Sequence, residues 1–287
     1  MASVSWREQA ERLAATASSS PLLSRVTGRL SDLRLPRPLL VRVIRAYARA
    51  FGVDLAEAAS PIEAHATFNE FFTRRLGEGR RPVAREAGVV VSPCDSRVSV
   101  IGETPADGRL EQIKGSSYSL EALLGSAEDA RPFRRGAQAT LYLSPAMYHR
   151  VHSPVDGCVS AWRYVPGRLF TVNRIGVRAV PGLFTRNERV CVFLESEAHG
   201  PVAVVLVGAA NVGRISLAFS ELVTNRGARG GRFTPGAPIV VRRGDELGAF
   251  NLGSTVVLLV ADPALAPLAA AGKLVRMGQP LWGRASK

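Results

Sequence analysis

At Val89 the hydrophobic pattern of this chain changes period. Before it, apolar residues recur at helical spacing. After it, they fall in short β-branched or alternating runs. A stripe with a 3.6-residue period and a face with a 2-residue period are buried in different ways, so this switch constrains the fold strongly. The runs Val89–Val91, Ala139–Leu143, Val190–Leu194, Val202–Gly208, Ile239–Val241 and Thr255–Val260 are bounded by Gly, Pro or Asp and read as strands. One helix is expected to interrupt them at Ser119–Leu124. The fold class predicted is α+β, with N-terminal helices followed by a mainly antiparallel β domain. The Gly-, Arg- and Pro-rich stretch Leu76–Val83 divides a helical region at 1–83 from a β-rich domain at 84–287.

The helices carry their own signals. Leu40, Val43, Ile44, Tyr47 and Phe51 form an apolar stripe, with Arg42, Arg45 and Arg49 on another face. This basic amphipathic helix fits two roles: a packed surface helix with a solvated basic face, or a helix lying in a membrane interface. Ser60-Pro61-Ile62-Glu63 predicts a capping box for a second helix. Phe68, Phe72 and Leu76 are expected to continue its apolar face. Within the β region, residues 92–99 and 153–160 agree at five of eight positions, which predicts an internal strand-turn-strand repeat.

Charge narrows the partners. The chain carries 37 Lys plus Arg against 24 Asp plus Glu, a net of +13. The first fifty residues hold nine Arg against Glu8, Glu11 and Asp32, a local net of +6. Arg pairs with phosphate through its planar fork, so nucleic acid and anionic membrane both fit. Few aromatics argue against a stacking platform for single strands. Cys94, Cys158 and Cys191 are odd in number and lack CxxC spacing, which argues against a disulfide framework and a zinc site. Met1–Ala10 is too polar for a secretory signal. No apolar run reaches about 18 residues; Thr255–Ala271 is broken by Asp262, Pro263 and Pro267. A cytosolic or membrane-peripheral protein is expected.

Two segments carry chemistry. His149 and His152 flank Arg150-Val151 ahead of a Pro-containing turn, a setting for acid–base work. No third ligand with convincing spacing makes them a metal site. His65 and His199 read as structural or solvated. Gly253-Ser254-Thr255-Val256 fits neither the Gly-x-Ser-x-Gly elbow nor a Walker A loop.

Leu252-Gly253-Ser254-Thr255, preceded by Gly-x-x-x-Gly-x-Phe, resembles the processing site of phosphatidylserine decarboxylases of the bacterial, self-processing type. Phe71-Phe72-Thr73-Arg74-Arg75-Leu76 with Arg81-Pro82 resembles that family's N-terminal signature. Further matches are Ser92-Pro93-x-Asp95, His149–Gly157, Leu183-Phe184-x-x-Asn187-Glu188-Arg189 and Val207-Gly208-Ala209 with Val212-Gly213. They stand in family order from residue 68 to 260. Ser96 departs from the Gly usual after the Asp.

The resemblance implies a lyase of phospholipid biosynthesis that converts phosphatidylserine to phosphatidylethanolamine. It implies a covalent pyruvoyl group made from Ser254, with no metal and no pyridoxal phosphate. The chain's only lysines, Lys114, Lys273 and Lys287, stand in no evident Schiff-base motif. Ser254 Oγ is expected to attack the Gly253 carbonyl; elimination then releases the upstream chain. The triad carried over for that step is Asp95, His152 and Ser254, with Asp156 as the competitor for Asp95. In the mature enzyme Ser254 supplies the pyruvoyl that forms a Schiff base with substrate. His149 is the candidate proton donor, or binds the substrate carboxylate or phosphate. A heterodimer of chains 1–253 and 254–287 is implied, peripheral to the cytoplasmic side of the cell membrane, without nucleic acid. Competing readings are a self-processing decarboxylase of a related serine-headed phospholipid, a non-catalytic basic protein binding nucleic acid, and an ordinary serine hydrolase.

Overall fold

The computed structural model of the chain describes residues 27–113, 116–210, 214–225, 228–251 and 254–284. Short helices precede mostly antiparallel sheets, the α+β arrangement expected.

Helix α1, Arg37–Phe51, has Pro in its first turn, where a missing N–H breaks no helical bond. Gly52 ends it at φ 74°, a left-handed position that favours glycine. Leu40, Ile44 and Ala48, four residues apart, are buried in a cluster with Ile62 and Phe71. The Tyr47 hydroxyl donates to the Pro145 carbonyl at 2.8 Å. The apolar stripe is therefore split. Leu40 and Ile44 pack inward, while Val43 and Phe51 stay 38% and 50% exposed, with Leu39 at 47%. The packed ridge follows one i, i+4 row, and residues beside that row face out.

The second helix departs from expectation. Ser60-Pro61-Ile62-Glu63 leads only into a 3-10 turn at Ile62–Ala64, with no side-chain cap. The capping box lies at Thr67 and Glu70. Thr67 accepts from the Glu70 N–H at 3.1 Å, and the Glu70 carboxylate accepts from the Ala66 N–H at 2.7 Å. The resulting helix α2 is short, Phe68–Phe72. Leu76 does not extend it but forms an antiparallel bridge with Ala58.

The β region is organised by nine strands: β1 Ser96–Glu103, β2 Ala137–Leu143, β3 Arg150–His152, β4 Gly157–Val165, β5 Arg189–Ser196, β6 Gly200–Gly208, β7 Arg214–Leu217, β8 Glu246–Asn251 and β9 Ser254–Val260. A nine-stranded sheet runs β4-β5-β6-β9-β2-β1, with short strands at both ends. Strand β9 is central, paired over all seven residues with β2 and again with β6. All seven residues are buried. Val256, Leu258 and Val260 face one core with Leu141 and Leu206; Val257 and Leu259 face a second core with Ala203 and Val205. A strand buried on both faces reads as a continuous apolar run, as this one does. A smaller sheet orders Ser220–Val223, β7, β8 and β3.

The turns at 92–95 and 153–156 share local bonding. Ser92 Oγ donates to the Cys94 carbonyl and Ser153 Oγ to the Val155 carbonyl, each at 2.7 Å. The turns also brace each other: Val91 N–H donates to the Pro154 carbonyl and His152 N–H to the Pro93 carbonyl. Ser96 is buried and lies outside the left-handed region, so it needs no glycine there.

Candidate active site

Two connections lead from one sheet to the other. Residues 144–149 lead from β2 to β3, and the chain after Asn251 leads from β8 to β9. Both ends of this pair are tied: Ser254 pairs with Leu143, and Ala249 with Arg150. The Phe250 N–H also donates to the His149 carbonyl at 2.9 Å. His149 ends the first connection, and His152 ends β3, the strand paired with β8. Leu252 and Gly253 themselves lie outside the described residues.

Ser254 is fully buried, and its Oγ has no hydrogen-bond partner. It shares a face with Val256, two residues on, and so points into the core between the two sheets. A buried hydroxyl left without a partner costs stability, which marks the position as held for another purpose.

His152 Nδ1 lies 2.8 Å from the Gly244 carbonyl. A carbonyl only accepts, so Nδ1 carries the proton and Nε2 is the acceptor. The Tyr148 hydroxyl donates to Nε2 at 3.0 Å, with its ring stacked on the imidazole. Burial pushes the imidazole below its ordinary value, while the Gly244 bond and the Glu246 and Asp95 charges oppose that. His152 is thus a neutral base with its basic nitrogen aligned. Gly244 stands at φ 93°, and a Cβ there would meet Val83 at 2.8 Å. The carbonyl that orients His152 depends on that glycine.

Asp95 is buried but does not reach His152. The Arg81 guanidinium forks onto its carboxylate at 2.8 and 2.6 Å, and the Met277 N–H donates at 2.9 Å. Arg81 also pairs with Glu57 at 2.7 Å. Asp95 thus acts on His152 through space, and the Gly244 carbonyl holds Nδ1. Asp156 is largely exposed and closes a surface turn by accepting from the Arg243 N–H at 2.8 Å. The structure buries all three triad positions, joins none of them to another by a hydrogen bond, and holds Asp95 on Arg81.

Arg81 supports two acids while nearly buried. Arg81→Ala should cost about 3–5 kcal/mol, because it leaves the buried Asp95 carboxylate without its cation, while Glu57 keeps only the looser pair with Arg276 at 3.7 Å. Urea unfolding of the uncleaved Ser254→Ala protein with and without the substitution measures this; a change below 1 kcal/mol would contradict it.

His149 is fully buried. Its Nδ1 donates to the Met147 carbonyl at 2.8 Å, and its Nε2 has no partner. The ring lies 4.2 Å from the Phe72 ring. Burial pushes its pKa down to about 3. The free nitrogen is therefore an acceptor and can donate only after receiving a proton. An unfolded histidine titrates near 6.5, so between these values the unfolded chain binds the extra proton. Stability should fall as pH drops through 6.5, by about 1.4 kcal/mol per unit for this group alone. Comparing urea midpoints at pH 7 and 4.5, Ser254→Ala/His149→Phe should lose less stability than Ser254→Ala; equal losses would contradict the burial of a neutral ring.

Sequence reasoning missed Tyr148, Arg81 and Glu57. Arg81 stood in a matched motif and Tyr148 directly before one, where spacing alone gave them no role. Glu57 had no signal at all. His199 is buried against Asp262 at 3.1 Å, a structural pair far from this site. Among the described residues no group of three or more His, Cys, Asp or Glu is gathered for a metal ion.

A buried serine at the head of a central strand, beside the strand that leads on to neutral His149 and His152, is the candidate centre of an enzyme whose reacting group lies inside the fold. The sequence model of the family described as phosphatidylserine decarboxylase matches residues 68–283. A phosphatidylserine decarboxylase proenzyme of Anaeromyxobacter sp. (strain K) is 46% identical over 275 residues, covering 92% of this chain and 94% of the relative. Proenzymes of the same name from Myxococcus xanthus (strain DK1622) and Bordetella pertussis (strain Tohama I) are each 44% identical, over 237 and 269 residues. These alignments cover 83% and 91% of this chain, and 84% and 89% of the relatives. The chain belongs to the phosphatidylserine decarboxylase family.

Proposed function

We propose that this chain is a proenzyme that cleaves itself before Ser254 and then decarboxylates phosphatidylserine to phosphatidylethanolamine. The observation that carries the reading is Ser254: a buried, partnerless hydroxyl at the head of β9, paired with the end of β2, from which the chain leads on to His149 and His152. Ser254 Oγ attacks the Gly253 carbonyl, and its proton passes to the neutral imidazole of His152. Return of that proton to the Ser254 nitrogen breaks the peptide bond and leaves an ester. Asp95, gripped by Arg81, stabilises the transient imidazolium through space. Loss of the Ser254 α-proton with elimination at Cβ then releases the upstream chain as the Gly253 carboxylate, and water displaces the remaining nitrogen as ammonia, so Ser254 becomes the pyruvoyl group. Its buried place beside an apolar core fits such a group, since few solvent molecules compete for the ketone there. The pyruvoyl ketone supplies the electron sink that loss of carbon dioxide requires. His149, neutral with a free acceptor nitrogen, takes a proton from the substrate ammonium and returns it to the α-carbon. Intact mass and release of labelled carbon dioxide from carboxyl-labelled phosphatidylserine test this together. Two chains and labelled gas are expected; one full-length chain without release would overturn the reading.

The small chain, 254–287, stays with the large chain 1–253 through β9. The helical region ends near residue 83, where the Ala84 N–H begins to bond the β domain at the Gly278 carbonyl. No helix among the described residues is long and apolar enough to cross a membrane. The protein instead docks peripherally, on the cytoplasmic leaflet. Leu39, Val43 and Phe51 are exposed on the same helix as Arg37, Arg42 and Arg49, the mixture suited to an anionic interface. Arg45 is less available, being paired with Glu63 at 3.1 Å. Changing Arg37, Arg42 and Arg49 to Glu should weaken co-sedimentation with anionic vesicles by about two orders of magnitude, at roughly 1 kcal/mol per cation. Self-cleavage should survive. Unchanged sedimentation would return α1 to a purely packed role.

A further inference from the structure

Three arginines are buried among the described residues: Arg74, Arg189 and Arg214. Two of them are satisfied. Arg189 donates to the carbonyls of Leu123, Ala122, Thr185 and Asn187. Arg214 pairs with Asp32. Arg74 is different. It is 5% exposed, its Nε has no hydrogen-bond partner, and none of its nitrogens joins an ion pair among the described residues. Its guanidinium lies over the Phe71 ring, 5.0 Å from the centroid. A ring face offsets only part of what a cation loses on leaving water.

The neighbours of Arg74 all reach the active site. Phe72 contacts the His149 ring at 4.2 Å. The Thr73 carbonyl accepts from Arg150 Nε at 2.8 Å. Arg75 lies 3.6 Å from Glu246, the residue paired with His152. The segment 72–75 is thus laid along β3 and β8, with the unpaired cation in the middle of it. The Glu57 and Asp95 carboxylates act on it only through space and are themselves held by Arg81, so a direct partner for this cation would be an anion that arrives from outside the chain.

Phosphatidylserine offers two anions, a carboxylate and a phosphodiester. Pairing the carboxylate with a cation would stabilise charge that disappears as carbon dioxide leaves, which slows the reaction. Pairing the phosphodiester fixes the headgroup without that penalty, and leaves the carboxylate to the apolar surroundings of Phe72. We propose that Arg74 binds the phosphodiester of the lipid headgroup and so sets how the serine moiety is presented to Ser254 and His149. The inference rests on the decarboxylase reading above, and gives Arg74 a binding role, not one in self-cleavage.

The test uses the matured enzyme with short-chain phosphatidylserine in detergent. Arg74→Gln should mature to two chains and raise KM about ten- to a hundred-fold with little change in kcat. Arg74→Lys should recover part of the loss, since it restores the charge without the fork. Glycerophosphoethanolamine, which has the phosphodiester but no carboxylate, should inhibit the wild type competitively and lose that effect in Arg74→Gln. Unchanged KM and inhibition in Arg74→Gln would overturn the proposal. Inhibition retained despite a raised KM would assign Arg74 to the carboxylate, and also overturn it. If Arg74→Gln does not mature, thermal shift by glycerophosphoethanolamine decides, with Ser254→Ala compared against Ser254→Ala/Arg74→Gln. An equal shift in both would reject the site. A wild type that neither cleaves nor decarboxylates would instead sink the underlying function.

Discussion

Ser254→Ala should leave one chain of 287 residues where the wild type gives two, of 253 and 34 residues. The loss is expected to be complete, because no other hydroxyl can replace Oγ at the head of β9. Thr255, the next residue, faces the opposite side of the sheet and belongs with the second core. The wild-type fragments should separate on a denaturing gel and co-elute under native conditions. Their association follows from β9, which pairs with both β2 and β6 over its whole length. Each buried Val or Leu on it contributes roughly 1.5–3 kcal/mol, and cutting the chain before Ser254 leaves those contacts in place. The small fragment should also resist Edman degradation, since a pyruvoyl terminus has no amine. Cleavage at the normal rate in Ser254→Ala would remove the serine from the mechanism.

His152→Ala should slow self-cleavage by about 10²–10⁴, the usual loss when a general base is removed. His149→Ala should mature more nearly normally and lose decarboxylation by a similar factor. The structure gives each ring its reason. His152 is oriented by the Gly244 carbonyl and presents Nε2 towards Tyr148. His149 presents a bare nitrogen beside Phe72. Asp95→Asn should fall between wild type and His152→Ala in cleavage, because its carboxylate acts at a distance and is shared with Arg81. Pulse-chase of freshly translated protein separates the two activities. A His149→Ala protein that fails to cleave while His152→Ala matures freely would exchange the two roles.

Much of the fold was legible in the sequence. The strands at Ile239–Val241 and 255–260 lie where their β-branched runs place them. The helix expected at 119–124 is Leu120–Leu124, capped by Ser119. The capping box was misplaced because Ser60-Pro61-Ile62-Glu63 and Thr67-Phe68-Asn69-Glu70 carry the same spacing. Only the second precedes residues whose aromatic side chains find a core: Phe71 and Phe72 are buried. Local pattern proposes a helix start, and tertiary burial selects among the candidates.

The sequence by itself determined the chemistry of the parts. A serine after glycine at the head of an apolar run, two histidines three residues apart and an aspartate in a turn are local features, readable from residue type and order. It could not determine how they meet. Asp95 and Asp156 stand in nearly identical turns, yet one is buried under Arg81 and the other faces solvent. His152 takes its orientation from a glycine 92 positions away. Arg74 looks like any other arginine in an Arg-rich chain until the fold buries it against Phe71. Those outcomes depend on long-range strand pairing and on what each side chain loses when water is removed, and neither is written in any short stretch of chain.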